Sequence, residues 1–70
     1  MVYKIKLKDD YIKLGQALKA AGLAESGVDA KIAILDGLVL VNGETAYQRG
    51  KKLVGGDIVS FDGETIMIEN

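Results

Sequence analysis

The stretch Leu38–Asp57 constrains the fold of this chain more than any other. Apolar Leu38–Val41 runs straight into Asn42-Gly43, the dipeptide that best supplies the two positive-φ residues of a type I′ hairpin turn. A basic loop follows, with Arg49, Lys51 and Lys52 close together, and Gly55-Gly56-Asp57 then turns the chain into another apolar run. Two segments of helical spacing come just before this stretch. That order suits a small binding module better than an enzyme.

The flanking segments give the expected elements. Tyr3, Ile5 and Leu7 alternate with Lys4, Lys6 and Lys8, the period of a half-buried strand with a lysine row on its outer face. Asp9 or Asp10 is the expected cap of a first helix, in which Leu14, Ala17, Leu18 and Ala21 share one face. Gly22 stops it, since glycine enters the left-handed C′ conformation without a Cβ clash. Ser26 and Asp29 form a Ser-x-x-Asp start for a second helix, which stops at Gly37. Ile58–Phe61 and Thr65–Ile68 make a last hairpin around Asp62-Gly63. The expectation is one α+β domain over residues 1–70, with two consecutive short helices packed on a small, mainly antiparallel sheet.

Composition narrows the function classes. The chain has 70 residues and a 49% apolar fraction, enough for one small core and too much for a disordered segment. It has no cysteine and no histidine, so a thiolate metal site and the commonest general base are both missing. No Gly-rich phosphate loop or Ser-centred elbow is present, and carboxylates stand singly or in turns. No catalysis, cofactor or metal is expected. The lysine-alternating start does not read as a signal peptide and no segment reaches membrane-spanning length, so a cytoplasmic protein is expected. Net charge is only −1, but it is unevenly spread. Bases dominate up to Lys19 and at 49–52, whereas from Leu53 onward there are acids and no base. Such a dipolar chain can steer one face toward phosphate.

The second helix is apolar on two sides. At about 100° per residue, Ala30, Ala33 and Ile34 share one face, and Val28, Ile32 and Leu35 share the opposite one. Either it is sandwiched between two layers, or the Val28, Ile32, Leu35 strip is an exposed face for a partner or a second copy.

From Lys13 to Asp57 the chain resembles the RNA-binding domain named after small-subunit ribosomal protein S-four, also called the αL motif. The matching pieces are Lys13, Gly22-Leu23, Ser26, Ala30, Gly37, Val41-Asn42-Gly43 and Gly56-Asp57. Leu14–Lys19 and Arg49–Leu53 most resemble the short, stand-alone bacterial members, which are related to ribosome-associated or ribosome-maturation factors. The chain departs from the pattern at Gly27, where many members carry arginine, and at Gly55, where a Pro-Gly-Asp turn is usual. Lys31 is also the sole base of a helix that often carries several.

The resemblance implies docking on structured RNA, such as ribosomal RNA or a ribosome-assembly particle. It would place Lys13, Gln16, Lys19 and Lys31 on a basic helical surface, with Arg49, Lys51 and Lys52 as a loop clamp and Ser26 and Asn42 at the margin. The residues allow plainer readings too. Ser26 serves as a helix cap, Asn42 tolerates positive φ, and the lysine row protects a sheet edge, while Tyr47 either stacks on a base or, as is commoner, half-buries its ring in the hairpin. Two other classes compete. The Val-Asn-Gly-Glu hairpin and Gly-Asp turn also resemble β-grasp sulfur carriers, but those need a C-terminal Gly-Gly and this sequence ends Ile68-Glu69-Asn70. A protein-interaction module or homodimer would use Val28, Ile32 and Leu35.

Overall fold

A computed structural model describes residues 1–70. In chain order the elements are β1 (Val2–Lys6), β2 (Ile12–Lys13), α1 (Leu14–Ala20), α2 (Gly27–Leu35), β3 (Val39–Val41), β4 (Glu44–Thr45), β5 (Lys52–Leu53), β6 (Ile58–Phe61) and β7 (Glu64–Glu69). Five strands form one sheet in the order β1-β7-β6-β3-β4, while β2 and β5 pair separately. Every pairing is antiparallel except β1 with β7, so the α+β reading with a mainly antiparallel sheet holds.

Period-2 alternation turns one sheet face inward. Across that face Val41 lies opposite Val59, Val59 opposite Ile66, and Ile66 opposite Tyr3. The helices cover this face with the residues their spacing selects: Leu14, Ala17 and Leu18 from α1, and Ala30, Ala33 and Ile34 from α2. Full burial of an aliphatic side chain such as Leu14, Leu18 or Ile34 contributes about 1.5–3 kcal/mol.

Local turn chemistry behaves as the sequence implies. Gly22 and Gly37 take φ of 77° and 76°, and each ends its helix in a Schellman arrangement. The Leu23 N–H bonds the Leu18 carbonyl, and the Leu38 N–H bonds the Ala33 carbonyl. Asn42 and Gly43 have φ of 52° and 84°, and Asp62 and Gly63 have 53° and 76°, the signs that type I′ turns require.

One expectation about these elements fails, and one open alternative is decided. Asp9 and Asp10 do not cap α1, because a bend and the two-residue strand β2 intervene and Lys13 becomes the N-cap. The second helix is not sandwiched: Val28, Ile32 and Leu35 are 64%, 52% and 57% exposed. A seventy-residue chain has one layer of helices to set on one sheet face, so nothing remains to cover the far side of α2.

Candidate nucleic-acid interface

The basic loop is fastened to the start of α1 by its backbone. The Leu14 N–H donates to the Lys51 carbonyl at 2.8 Å, and the Gly15 N–H donates to the Arg49 carbonyl at 2.9 Å. First-turn N–H groups have no partner inside their own helix, so an adjacent loop can take them. The loop lies directly against the helix: a Cβ at Gly15 would meet the Arg49 Cβ at 3.4 Å, an ordinary van der Waals contact. The β2–β5 pairing sets Lys13 opposite Lys52, and Leu53, fully buried, anchors the loop's far end. Gln16 Oε1 accepts the Lys13 N–H at 3.4 Å and closes the helix start. Lys13, Gln16, Arg49, Lys51 and Lys52 thus come together from two segments distant in sequence.

None of these cations forms an ion pair within the protein. The one ion pair in the molecule joins the N-terminal ammonium to Glu64 at 3.4 Å, leaving every lysine and the arginine without a carboxylate within 4 Å. Lys13, Arg49, Lys51 and Lys52 are all exposed. Lys52 Nζ sits 4.8 Å from the centroid of the Tyr11 ring, a cation–π contact that directs it without neutralising it. Beside the loop, a cleft of about 510 Å³ has Tyr47, Gln48 and Lys51 in its wall. The half-buried placement expected for Tyr47 does not hold. It is 62% exposed, its ring lying beside Gly37 at the end of α2 without being enclosed.

Asn42 is engaged inside the protein. Its Nδ2 donates to Asp57 at 3.0 Å and its Oδ1 accepts the Ile58 N–H at 2.9 Å, so its amide latches the hairpin turn to the Gly-Asp turn. Asp57 also accepts the Val54 N–H at 2.8 Å. That backbone bond, then the Asn42 amide and the nearby Lys51 charge, hold its carboxyl below the ordinary 3.8 despite some desolvation. A carboxylate with a depressed folded-state pKa contributes stability that is fully present above its unfolded value. The contribution is lost as pH falls through the folded value. The melting temperature of the wild type is therefore expected to drop as pH is lowered below about 4, and that of Asp57→Asn to drop less over the same range. Parallel profiles in a thermal-melt series would show that the latch carries no charge-dependent stability.

On α2 the predicted residues are more dispersed. Ser26 Oγ accepts the Asp29 N–H at 3.2 Å, the capping bond its sequence implies. Ser26→Ala is expected to cost about 1 kcal/mol, a fall of about 4–8 °C in Tm. RNA titration of the same variant separates a cap, which leaves Kd unchanged, from a phosphate contact, which weakens it. Lys31 is exposed on α2, and Lys19 is exposed near the end of α1, outside the loop contacts. The sequence gives no sign that Tyr11 belongs to this region or that Leu53, at the end of the basic stretch, anchors it. Their roles depend on β2 meeting β5 across some forty residues, a pairing too short to leave a periodic signal.

The family model described as "S4 domain" matches residues 5–69. YbcJ of Escherichia coli K12 is 39% identical over 61 residues, covering 87% of each chain. A Bacillus subtilis protein named "Probable ribosome maturation protein RlbA" is 41% identical over 63 residues, covering 90% of this chain and 89% of that one. The solution structure of E. coli YbcJ, described as revealing an αL motif involved in RNA binding, superposes with a TM-score of 0.71. It is 35% identical in that alignment, which covers 99% of this chain and 86% of the other. This chain belongs to the S4-domain family.

Proposed function

We propose that this chain is a non-catalytic RNA-binding protein that docks on structured RNA, with ribosomal RNA or a ribosome-assembly particle as the target. The observation that carries the reading is the basic loop held on the start of α1 by the Leu14 and Gly15 amides, with none of its cations paired to a carboxylate. Arg49 offers a guanidinium fork for phosphate, and Lys13, Lys51 and Lys52 offer point charges. Gln16, Lys19, Lys31 and the Ser26 helix start extend the surface, and Asn42 acts at its margin by holding the hairpin. A surface of this kind reads an RNA helix through its phosphates, 2′-hydroxyls and shape. What the YbcJ and RlbA names say of those relatives points the same way.

Titration of purified protein against ribosomal RNA hairpins and duplex DNA at several salt concentrations tests this. Micromolar or tighter RNA binding that weakens steeply with salt and exceeds DNA binding is the expected result. Absence of RNA binding at low salt would overturn it.

The exposed Val28, Ile32 and Leu35 strip favours a second, compatible reading, in which α2 also meets a protein. Sedimentation at high concentration, with Ile32→Asp as control, checks self-association. A strictly monomeric wild type removes the homodimer.

A further inference from the structure

Between the end of β1 and the outer side of α1 lies a groove of about 390 Å³, in the lower part of the size range of small-ligand clefts, about 300–1,000 Å³. Ile5, Leu7 and Ile12 give it an apolar lining, and Tyr11 stands in its wall. Lys6 and Lys8 border it from the strand side and Lys19 from the helix, against a single acid, Asp9. No ion pair joins Lys6 to Glu69, its register partner on β7.

The strand adds polar groups of its own. β1 is an edge strand, and the Leu7 N–H bonds the Glu69 carbonyl on β7 at 2.7 Å. By strand alternation the N–H and C=O of Lys6 point the other way, off the open edge. Apolar lining, an aromatic ring, free backbone donor and acceptor, and cations on both rims together match one unpaired nucleotide. The base would lie on the lining beside Tyr11, and its flanking phosphates would meet the lysines.

We infer that this groove binds an unpaired nucleotide next to the helical RNA that occupies the loop and α1. The inference rests on the proposed RNA reading and deepens it. Gln16 and Lys19 belong to both the groove and the proposed RNA surface, so a strand leaving the docked helix enters the groove without a break. An added peptide strand suits the site less well, because the lysines along β1 are the kind of residue that keeps sheet edges unpaired.

Two hairpins of identical stem, one blunt and one with a short single-stranded extension, provide the test. The wild type is expected to bind the extended hairpin on the order of tenfold more tightly, the scale of one base stacked on an aromatic side chain. The double variant Lys6→Ala/Lys8→Ala is expected to lose most of that gain and keep its affinity for the blunt hairpin. In NMR titrations the amides of Ile5, Leu7 and Ile12 should shift with the extended RNA and stay in place with the blunt one. Equal affinity of the wild type for both hairpins overturns the groove and leaves the RNA reading intact. So does an equal loss on both hairpins in the variant. Failure to bind either hairpin overturns both.

Discussion

Replacing Arg49, Lys51 and Lys52 together by alanine is expected to weaken binding to structured RNA by roughly 500-fold near 0.1 M salt. Each phosphate contact contributes a log–log salt slope of about 0.9, close to a factor of ten in affinity at that salt, and three contacts are removed. The salt slope should flatten by about two to three units in the same experiment. Folding should be little affected, because the loop is held by the carbonyls of Arg49 and Lys51 rather than by their side chains. Exposed substitutions away from structural contacts change stability by about 0.5 kcal/mol or less. Loss of the exposed Lys52–Tyr11 contact adds about 0.5–1 kcal/mol. An unchanged Kd with an unchanged salt slope would remove the loop from the interface.

The largest stability effect should come from Leu53→Ala. Leu53 is fully buried and is the one core residue between Ala46 and Val59. Truncating a buried leucine costs about 2–5 kcal/mol, whereas a chain of this size has about 4–10 kcal/mol in total. The Tm should fall by about 10–30 °C. The loss should also reach the interface, since Leu53 pairs with Ile12 and fixes the end of the loop. Amide exchange at Leu14 and Gly15 should speed up more than at Ile66 in the sheet centre. A small Tm shift, or uniform acceleration, would show that the loop does not depend on this anchor.

The contrast between these two substitutions also explains what could be read from sequence. Both helices were legible because their buried residues recur at helical spacing and Gly22 and Gly37 mark their ends. The hairpins were legible because Asn42-Gly43 and Asp62-Gly63 determine backbone sign locally. The parallel pairing of β1 with β7 was not, since nothing in Val2–Lys6 specifies a partner more than fifty residues away. Asp9 and Asp10 looked like caps because a two-residue strand has no pattern that would separate them from the helix. Of the candidate site, the cations were visible as a cluster, but the bonds that place them on α1 are backbone bonds and leave no side-chain signature. Asn42 was visible only as a turn residue, because its bond to Asp57 crosses fifteen positions.

The mode of attachment of the basic loop bears on how such a protein can diverge. Main-chain carbonyls, which every residue possesses, hold the loop on α1, and the buried anchor lies just beyond it at Leu53. Side chains at 49 and 51 are therefore released from structural duty and can be exchanged one at a time without endangering the fold. A lineage could retune the charge or reach of this proposed RNA surface by single replacements on an unaltered scaffold.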